Sequence, residues 1–191
     1  MNYFIILFFL LFSHFHCSKD ILAELQIVLD HFEHDPECVF NQSVVDSRTI
    51  KLFPPCVTVF AIIVINEKTD LTPSQIKKYL KKMGALVGGI KVENSNFSNL
   101  AFLPDPKNGV YIKNNENLKA GFELPAIKIT GNPNGQKNCK FEVENNAKLN
   151  AEMMCNGTYI IENTDLRVTG NMNNCGDQVE LDESISKPFF M

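Results

Sequence analysis

The feature that most narrows what this chain can fold into is a short motif that keeps returning, two apolar residues flanking one polar residue. Val110 and Ile112 flank Tyr111, Ile127 and Ile129 flank Lys128, and Phe141 and Val143 flank Glu142. Alternation of this kind turns one strand face to a core and the other outward. The second inward residue of each strand is Ile65, Val92, Ile112, Ile129 and Val143, with separations of 27, 20, 17 and 14. Asparagine follows two residues later at Asn94, Asn114 and Asn145, and leucine arrives at Leu118 and Leu149. A repeat of that length, near the leucine-rich-repeat range, predicts a coil in which each turn lays one short strand beside the last. Inward Ile and Val stack into a core, and the Asn side chains can hydrogen-bond backbone groups where the chain turns. A run of ordinary hairpins would use the same strands. The fixed Asn offset favours the coil.

Longer elements frame the repeat. Val57 to Ile65 is a β-branched apolar stretch that predicts a strand. Thr72-Pro73-Ser74-Gln75 is a capping box with Pro at the first helical position, predicting a helix to about Met83 that Gly84 ends. Leu86, Gly88, Ile90 and Val92 then alternate with Val87, Gly89, Lys91 and Glu93 as in a strand. Nearer the start, Ile21, Leu22, Leu25, Val28, Leu29 and Phe32 fall at helical spacing over residues 20–33. Asp20, Glu24, Asp30 and Glu33 would repel an anionic membrane, so this helix is expected to pack on the protein itself.

Tyr3 to Phe12 is an unbroken run of ten apolar residues, too short to span a bilayer and suited to the core of a secretory signal peptide. Cleavage is expected near Cys17 or Ser18, with a retained anchor as the alternative. No other apolar run is long enough to span, so a secreted, extracellular protein without stable membrane insertion is expected. Loss of residues 1–17 leaves five cysteines, an odd number. Export favours disulfides, and no Cys-x-x-Cys pair points to zinc or thioredoxin-like redox chemistry. Asn41, Asn96 and Asn156 head Asn-x-Ser/Thr sequons, which makes a glycoprotein expected if the chain is exported. A net charge of −4 and a pI near 5.6 argue against sequence-independent nucleic-acid binding.

Several pieces, in order, match one known pattern. Cys38 and Cys56 stand 18 apart. Cys56-Val-Thr-Val-Phe-Ala-Ile-Ile-Val-Ile65 follows the form Cys-x-x-Ile-x-Gly-x-Leu-x-Ile. Leu86 to Val92, then Asn94 and Phe97 to Leu103, make a second rung, and Phe141 to Leu149 matches Ile-x-Ile-x-x-Asn-x-x-Leu. Asn174-Cys175-Gly176-Asp177 supplies a closing cysteine. Together these resemble the receptor L domain, the ligand-binding module of insulin and epidermal growth factor receptors, over residues 38–177. The resemblance implies a mainly β fold, a right-handed β-helix or solenoid of short parallel strands. The expected divisions are a signal peptide (1–17), an N-terminal amphipathic helical segment (18–37), the L domain (38–177), which includes the capping-box helix, and a C-terminal tail (178–191). It also implies disulfides Cys38–Cys56 and Cys155–Cys175, with Cys139 unpaired. Three departures stand out: Ala61 where the family has Gly, the Gly131-Asn132-Pro133-Asn134-Gly135 interruption, and Cys139 itself.

No catalytic constellation emerges, and neither a cofactor nor a metal is expected. His31 and His34 lie one helical turn apart, but a polar helix end accounts for them. Gly88-Gly89 begin a strand, so they do not form a phosphate loop. The expectation is therefore a non-enzymatic binding surface. The outward residues of the strands are Ile62, Val64, Lys91, Glu93, Tyr111, Lys113, Lys128 and Glu142. In the L-domain receptors the equivalent sheet carries ligand contacts, which makes the first six of these the candidate ligand-binding face. The helix at 20–33 could instead cover Ile62 and Val64. The implied partner is an extracellular polypeptide, hormone- or growth-factor-like, or a receptor. The competing reading is a structural extracellular or co-receptor protein, a homodimer disulfide-linked through Cys139.

Overall fold

The computed structural model describes residues 26, 29–30, 32–104, 106, 109–119, 139–151, 164–172 and 174. Six strands follow one another: β1 (Val39–Phe40), β2 (Thr58–Ile65), β3 (Ala85–Glu93), β4 (Gly109–Lys113), β5 (Cys139–Glu144) and β6 (Thr164–Thr169). They form one sheet in chain order, and every adjacent pair is parallel. Parallel neighbours cannot be joined by tight turns, so the hairpin alternative is excluded. The fold is mainly β, and helix α1 (Pro73–Leu80) makes the return between β2 and β3. Its capping box is formed as expected: Gln75 N donates to Thr72 Oγ1 (3.3 Å) and Thr72 N donates to Gln75 Oε1 (2.8 Å). The helix ends three residues short of Met83, and Ile76 and Leu80 are its buried anchors.

In-register pairing turns the sequence repeat into columns. Ile65, Val92, Ile112, Val143 and Val168 are successive partners across the sheet, and Ile63, Ile90, Val110 and Phe141 make a second column. All nine side chains are buried in one core with Leu100, Leu118 and Leu149. Each such burial stabilises the fold by roughly 1.5–3 kcal/mol. The true spacing of the first column is 27, 20, 31 and 25 residues. The rung expected at Ile127 and Ile129 does not stand between its neighbours, because β4 pairs directly with β5. Residues 120–138, Lys128 included, lie outside the described residues. The sixth strand, Thr164–Thr169, continues the ladder instead.

The corner asparagines act differently from expectation. Asn94, Asn114 and Asn145 have φ of 52°, 56° and 56°, and Gly170, at the same place after β6, has φ 69°. Asn is the residue besides Gly that most readily takes this left-handed turn. The hydrogen-bonding role belongs to the next residue along. Ser95 N and Oγ donate to Asn115 Oδ1 (2.9 and 2.8 Å). Asn115 N and Nδ2 donate to Asn146 Oδ1 (both 3.0 Å), and Asn146 N and Nδ2 donate to Asn171 Oδ1 (3.1 and 2.9 Å). Asn171 N passes the pattern on to Asn174 Oδ1 at 2.9 Å. Each ladder amide also reaches back to the preceding strand: Asn115 to Val92 O (3.1 Å), Asn146 to Ile112 O (3.0 Å) and Asn171 to Val143 O (2.9 Å). Ser95, Asn115, Asn146 and Asn171 are buried, so the column satisfies backbone groups that water cannot reach.

At the other end of the sheet, Cys38 and Cys56 are disulfide-bonded, with Cα atoms 5.7 Å apart. The bond ties the 3-10 turn Pro36–Cys38 to the entry of β2. Cys155 and Cys175 lie outside the described residues, as does the side chain of Cys139, whose backbone begins β5. Where the resemblance has Gly, Ala61 faces Gly88 in register. The close approach has moved across the strand pair: Gly88 has φ 133°, and a Cβ there would lie 2.0 Å from Ala61 O.

Candidate functional site

The pairings place all six candidate residues on the outward face of the sheet, and they fall into two regions. The first is β2, where the outward side chains after Thr58, namely Phe60, Ile62 and Val64, are apolar. These are not open to solvent. Ile62 is 6% and Val64 4% exposed, with Leu29 and Val39 packed against them. The His34 ring lies 5.5 Å from the Phe60 ring, and His34 Nδ1 is 2.9 Å from Phe32 O. Gln26, Leu29 and Asp30 are helical, and Gln26 Nε2 donates to Asp30 Oδ1 at 2.7 Å. The expectation that Ile62 and Val64 form part of an open face is thus corrected. Leu29, on the spacing of the amphipathic stripe, covers them.

The second region runs from β3 to β6. One outward row is Lys91, Tyr111, Glu142 and Arg167, and the next is Glu93, Lys113, Glu144 and Thr169. The register pairs Glu142–Arg167, Glu93–Lys113 and Lys113–Glu144 join opposite charges, which is the favourable arrangement on a sheet face. Lys91 Nζ lies 3.5 Å from Glu93 Oε2. Lys113 Nζ is held between Glu142 Oε2 and Glu144 Oε2, the latter at 3.1 Å. Arg167 Nε sits against Glu144 Oε1. Burial pulls the Lys113 ammonium pKa down, but its hydrogen bonds to Glu142 and Glu144 outweigh this and hold it above the usual 10.5. Lys113 is therefore engaged within the sheet rather than presented to a partner. Glu142 and Glu144 are themselves largely buried beneath the longer side chains.

Between the two regions lie two glycines, of which Gly89 is buried and Gly109 half-buried. Gly89 and Gly109 are register partners, so no side chain rises there, and a Cβ on Gly89 would stand 3.1 Å from Gly109 O. Half-buried Lys91 and Tyr111 border this glycine floor on adjacent strands. Of the sequence candidates, the structure brings Lys91, Glu93, Tyr111 and Lys113 together on neighbouring strands. Glu144 and Arg167 belong to the same surface and were missed. The signal was present in Thr164-Asp-Leu-Arg-Val-Thr169, whose alternation is regular, but its corner carries Gly170 where the other rungs have Asn.

Asn41 and Asn96 are exposed, and Asn156 lies outside the described residues. Among the described residues no group of three His, Cys, Asp or Glu gathers as a metal site, and no helix is long and apolar enough to cross a membrane. No protein-family model matches this sequence, and neither does any curated protein or solved structure.

Proposed function

We propose that this is a secreted relative of the receptor L domain. In this reading its strands belong to a right-handed β-helix, and the open face of its sheet binds an extracellular polypeptide without catalysing a reaction. The observation that carries the reading is the face itself. An all-parallel array places half-buried Tyr111 and Lys91 side by side on neighbouring strands, with a rim of compensated charge. An aromatic ring beside a lysine suits a polypeptide with apolar and acidic groups, and an aromatic centre with a polar rim is the usual anatomy of a protein interface. The Cys38–Cys56 bond supports an extracellular setting, since such bonds persist in oxidising compartments. Ile62, Val64 and Lys113 drop out as direct contacts, which leaves Lys91, Glu93 and Tyr111.

The test is capture of polypeptides from conditioned medium by purified wild-type protein, with captured species identified by mass spectrometry. Tyr111→Ala and Lys91→Glu are expected to lose a given ligand by about tenfold or more, as central interface residues do. Equal capture by wild type and both variants would remove this face as the binding site.

A further inference from the structure

Helix α1 carries a dense cluster of exposed lysines at its C-terminal end. Between Arg48 and Lys82 the chain holds seven cations (Arg48, Lys51, Lys68, Lys77, Lys78, Lys81, Lys82) against two carboxylates (Glu67, Asp70). That local balance of +5 sits in a chain of net −4, and no carboxylate occurs from Leu71 to Val92. Lys77, Lys78, Lys81 and Lys82 are all exposed, and none makes an ion pair among the described residues. Lys81 caps the helix with helical backbone angles (φ −60°, ψ −24°). At 3.6 residues per turn, Lys77, Lys78 and Lys81 therefore lie within an arc of about 100° on one side of α1. Ile76 and Leu80 fix the opposite side in the core. The 3-10 turn Thr49–Leu52 packs beside the helix and brings exposed Lys51 near it.

This arrangement opposes stability. Lys77 and Lys81 are an i,i+4 pair of like charge, and Lys78 and Lys82 have the same spacing; such pairs weaken a helix. The helix C-terminal dipole favours Lys77 and Lys78 and offsets part of this repulsion, but no carboxylate among the described residues shields the cluster. We infer that the lysine face of α1 is a binding site for a linear sulfated polysaccharide of the heparin class. Closely spaced ammonium groups on one face complement a chain of regularly spaced sulfates, and basic clusters of this length serve as polyanion patches. An anionic membrane is the poorer fit. Interfacial helices bury an apolar face in lipid, and here Ile76 and Leu80 are already in the core. The site lies apart from Lys91 and Tyr111 in the chain and does not depend on what the sheet binds.

The test uses full-length secreted protein on immobilised heparin, with a sulfonate cation exchanger of equal charge density, unsulfated hyaluronan and phosphatidylserine vesicles in parallel. Wild type is expected to bind heparin at 0.15 M salt and to leave it at a higher salt concentration than it leaves the exchanger. Binding should weaken by about fiftyfold between 50 and 200 mM salt, as neutralising about four charges on a single chain, at about 0.7 counterion each, requires. Replacing all four lysines, K77Q/K78Q/K81Q/K82Q, keeps helix propensity and should abolish retention with an unchanged circular dichroism spectrum. Should that variant misfold, the pairs K77Q/K78Q and K81Q/K82Q are each expected to lower the eluting salt. Passage of wild type through heparin, elution of folded variants at the wild-type salt, or binding to vesicles or hyaluronan in preference to heparin would each overturn the proposal.

Discussion

Two adjacent asparagines at the end of β5 do unlike work, and exchanging them for smaller residues separates the roles. Asn146 is the middle of the buried ladder. Truncating it to Ala removes the acceptor for Asn115 N and Nδ2 and the donor to Ile112 O and Asn171 Oδ1. Some groups keep other partners: Asn115 Nδ2 still reaches Val92 O, and Asn171 Oδ1 still receives Asn146 N. What is left short is the Asn115 backbone N–H and the bond to the Ile112 carbonyl. At roughly 1–3 kcal/mol for each buried group deprived of its partner, Asn146→Ala costs about 4 kcal/mol. For a domain of this size that lowers Tm by about 8–16 °C. Asn145, with φ 56°, contributes its backbone conformation, and Gly170 does the same for the next rung. Asn145→Gly should therefore stay within about 1 kcal/mol of wild type, whereas Asn145→Ala should lose about 1 kcal/mol. The assay is urea unfolding of oxidised protein followed by far-ultraviolet circular dichroism, since the chain has no tryptophan. If Asn145→Gly cost as much as Asn146→Ala, or Asn146→Ala cost under 1 kcal/mol, the division of labour between turn and ladder would be wrong.

Three further perturbations probe other parts of the argument. Gly88→Ala places a Cβ 2.0 Å from Ala61 O at φ 133°, so it should fail to give soluble folded protein, whereas Gly84→Ala, with its nearest contact the Val57 side chain at 3.3 Å, should fold. Opening the Cys38–Cys56 bond, which closes a loop of 18 residues, should lower stability by about 3 kcal/mol, read as the urea midpoint of Cys38→Ala/Cys56→Ala against wild type. Asp46 is held below the ordinary 3.8 by backbone N–H groups of Thr49 and Arg48, and Asp70 by the hydroxyl and N–H of Ser47. Both folded values lie below the unfolded one, so their contribution is full above about pH 4 and is lost as pH falls through the folded values. Wild type should lose more stability between pH 4 and pH 2 than Asp46→Asn/Asp70→Asn, and equal slopes would refute this. Lys113 runs the other way. Raised above 10.5, it contributes fully below that pH and loses its contribution as pH climbs through the folded value.

How much of this was legible depends on what each signal encodes. Strand alternation reports burial, and it identified Ile65, Val92, Ile112 and Val143 before any pairing was known, because a period of two survives any irregularity in the returns. It reports nothing about which strand lies next to which. Ile127 and Ile129 alternate as well as Val110 and Ile112 do, yet the hydrogen bonds run from β4 to β5. The Asn signal was read one residue early for a related reason. Asn-Asn at 114–115 and 145–146 hides two demands, a left-handed turn and a buried amide. Where those demands separate, as Gly170-Asn171 or Asn94-Ser95, their distinct chemistry can be read.

The same reasoning explains why the outward face was read less well than the core. An inward position is judged by its own residue type, since any polar group there must be satisfied. An outward position is judged by what lies over or beside it, which comes from distant segments. Ile62 and Val64 looked available until Leu29 was seen against them, and Lys113 looked available until Glu144, one strand away, was seen at 3.1 Å. The positions that still lack a compensating neighbour among the described residues are therefore the informative ones. Among them are the lysines of α1, whose mutual repulsion a single Glu at position 74 would relieve. Ser74→Glu places a carboxylate three and four residues ahead of Lys77 and Lys78, in the stabilising order and near the helix N-terminus. It should raise stability by about 0.5–1 kcal/mol while weakening polyanion binding. A gain in stability with heparin binding intact would mean that the lysines are merely uncompensated, and a loss of both would mean that the helix is held by something other than its own charge pattern.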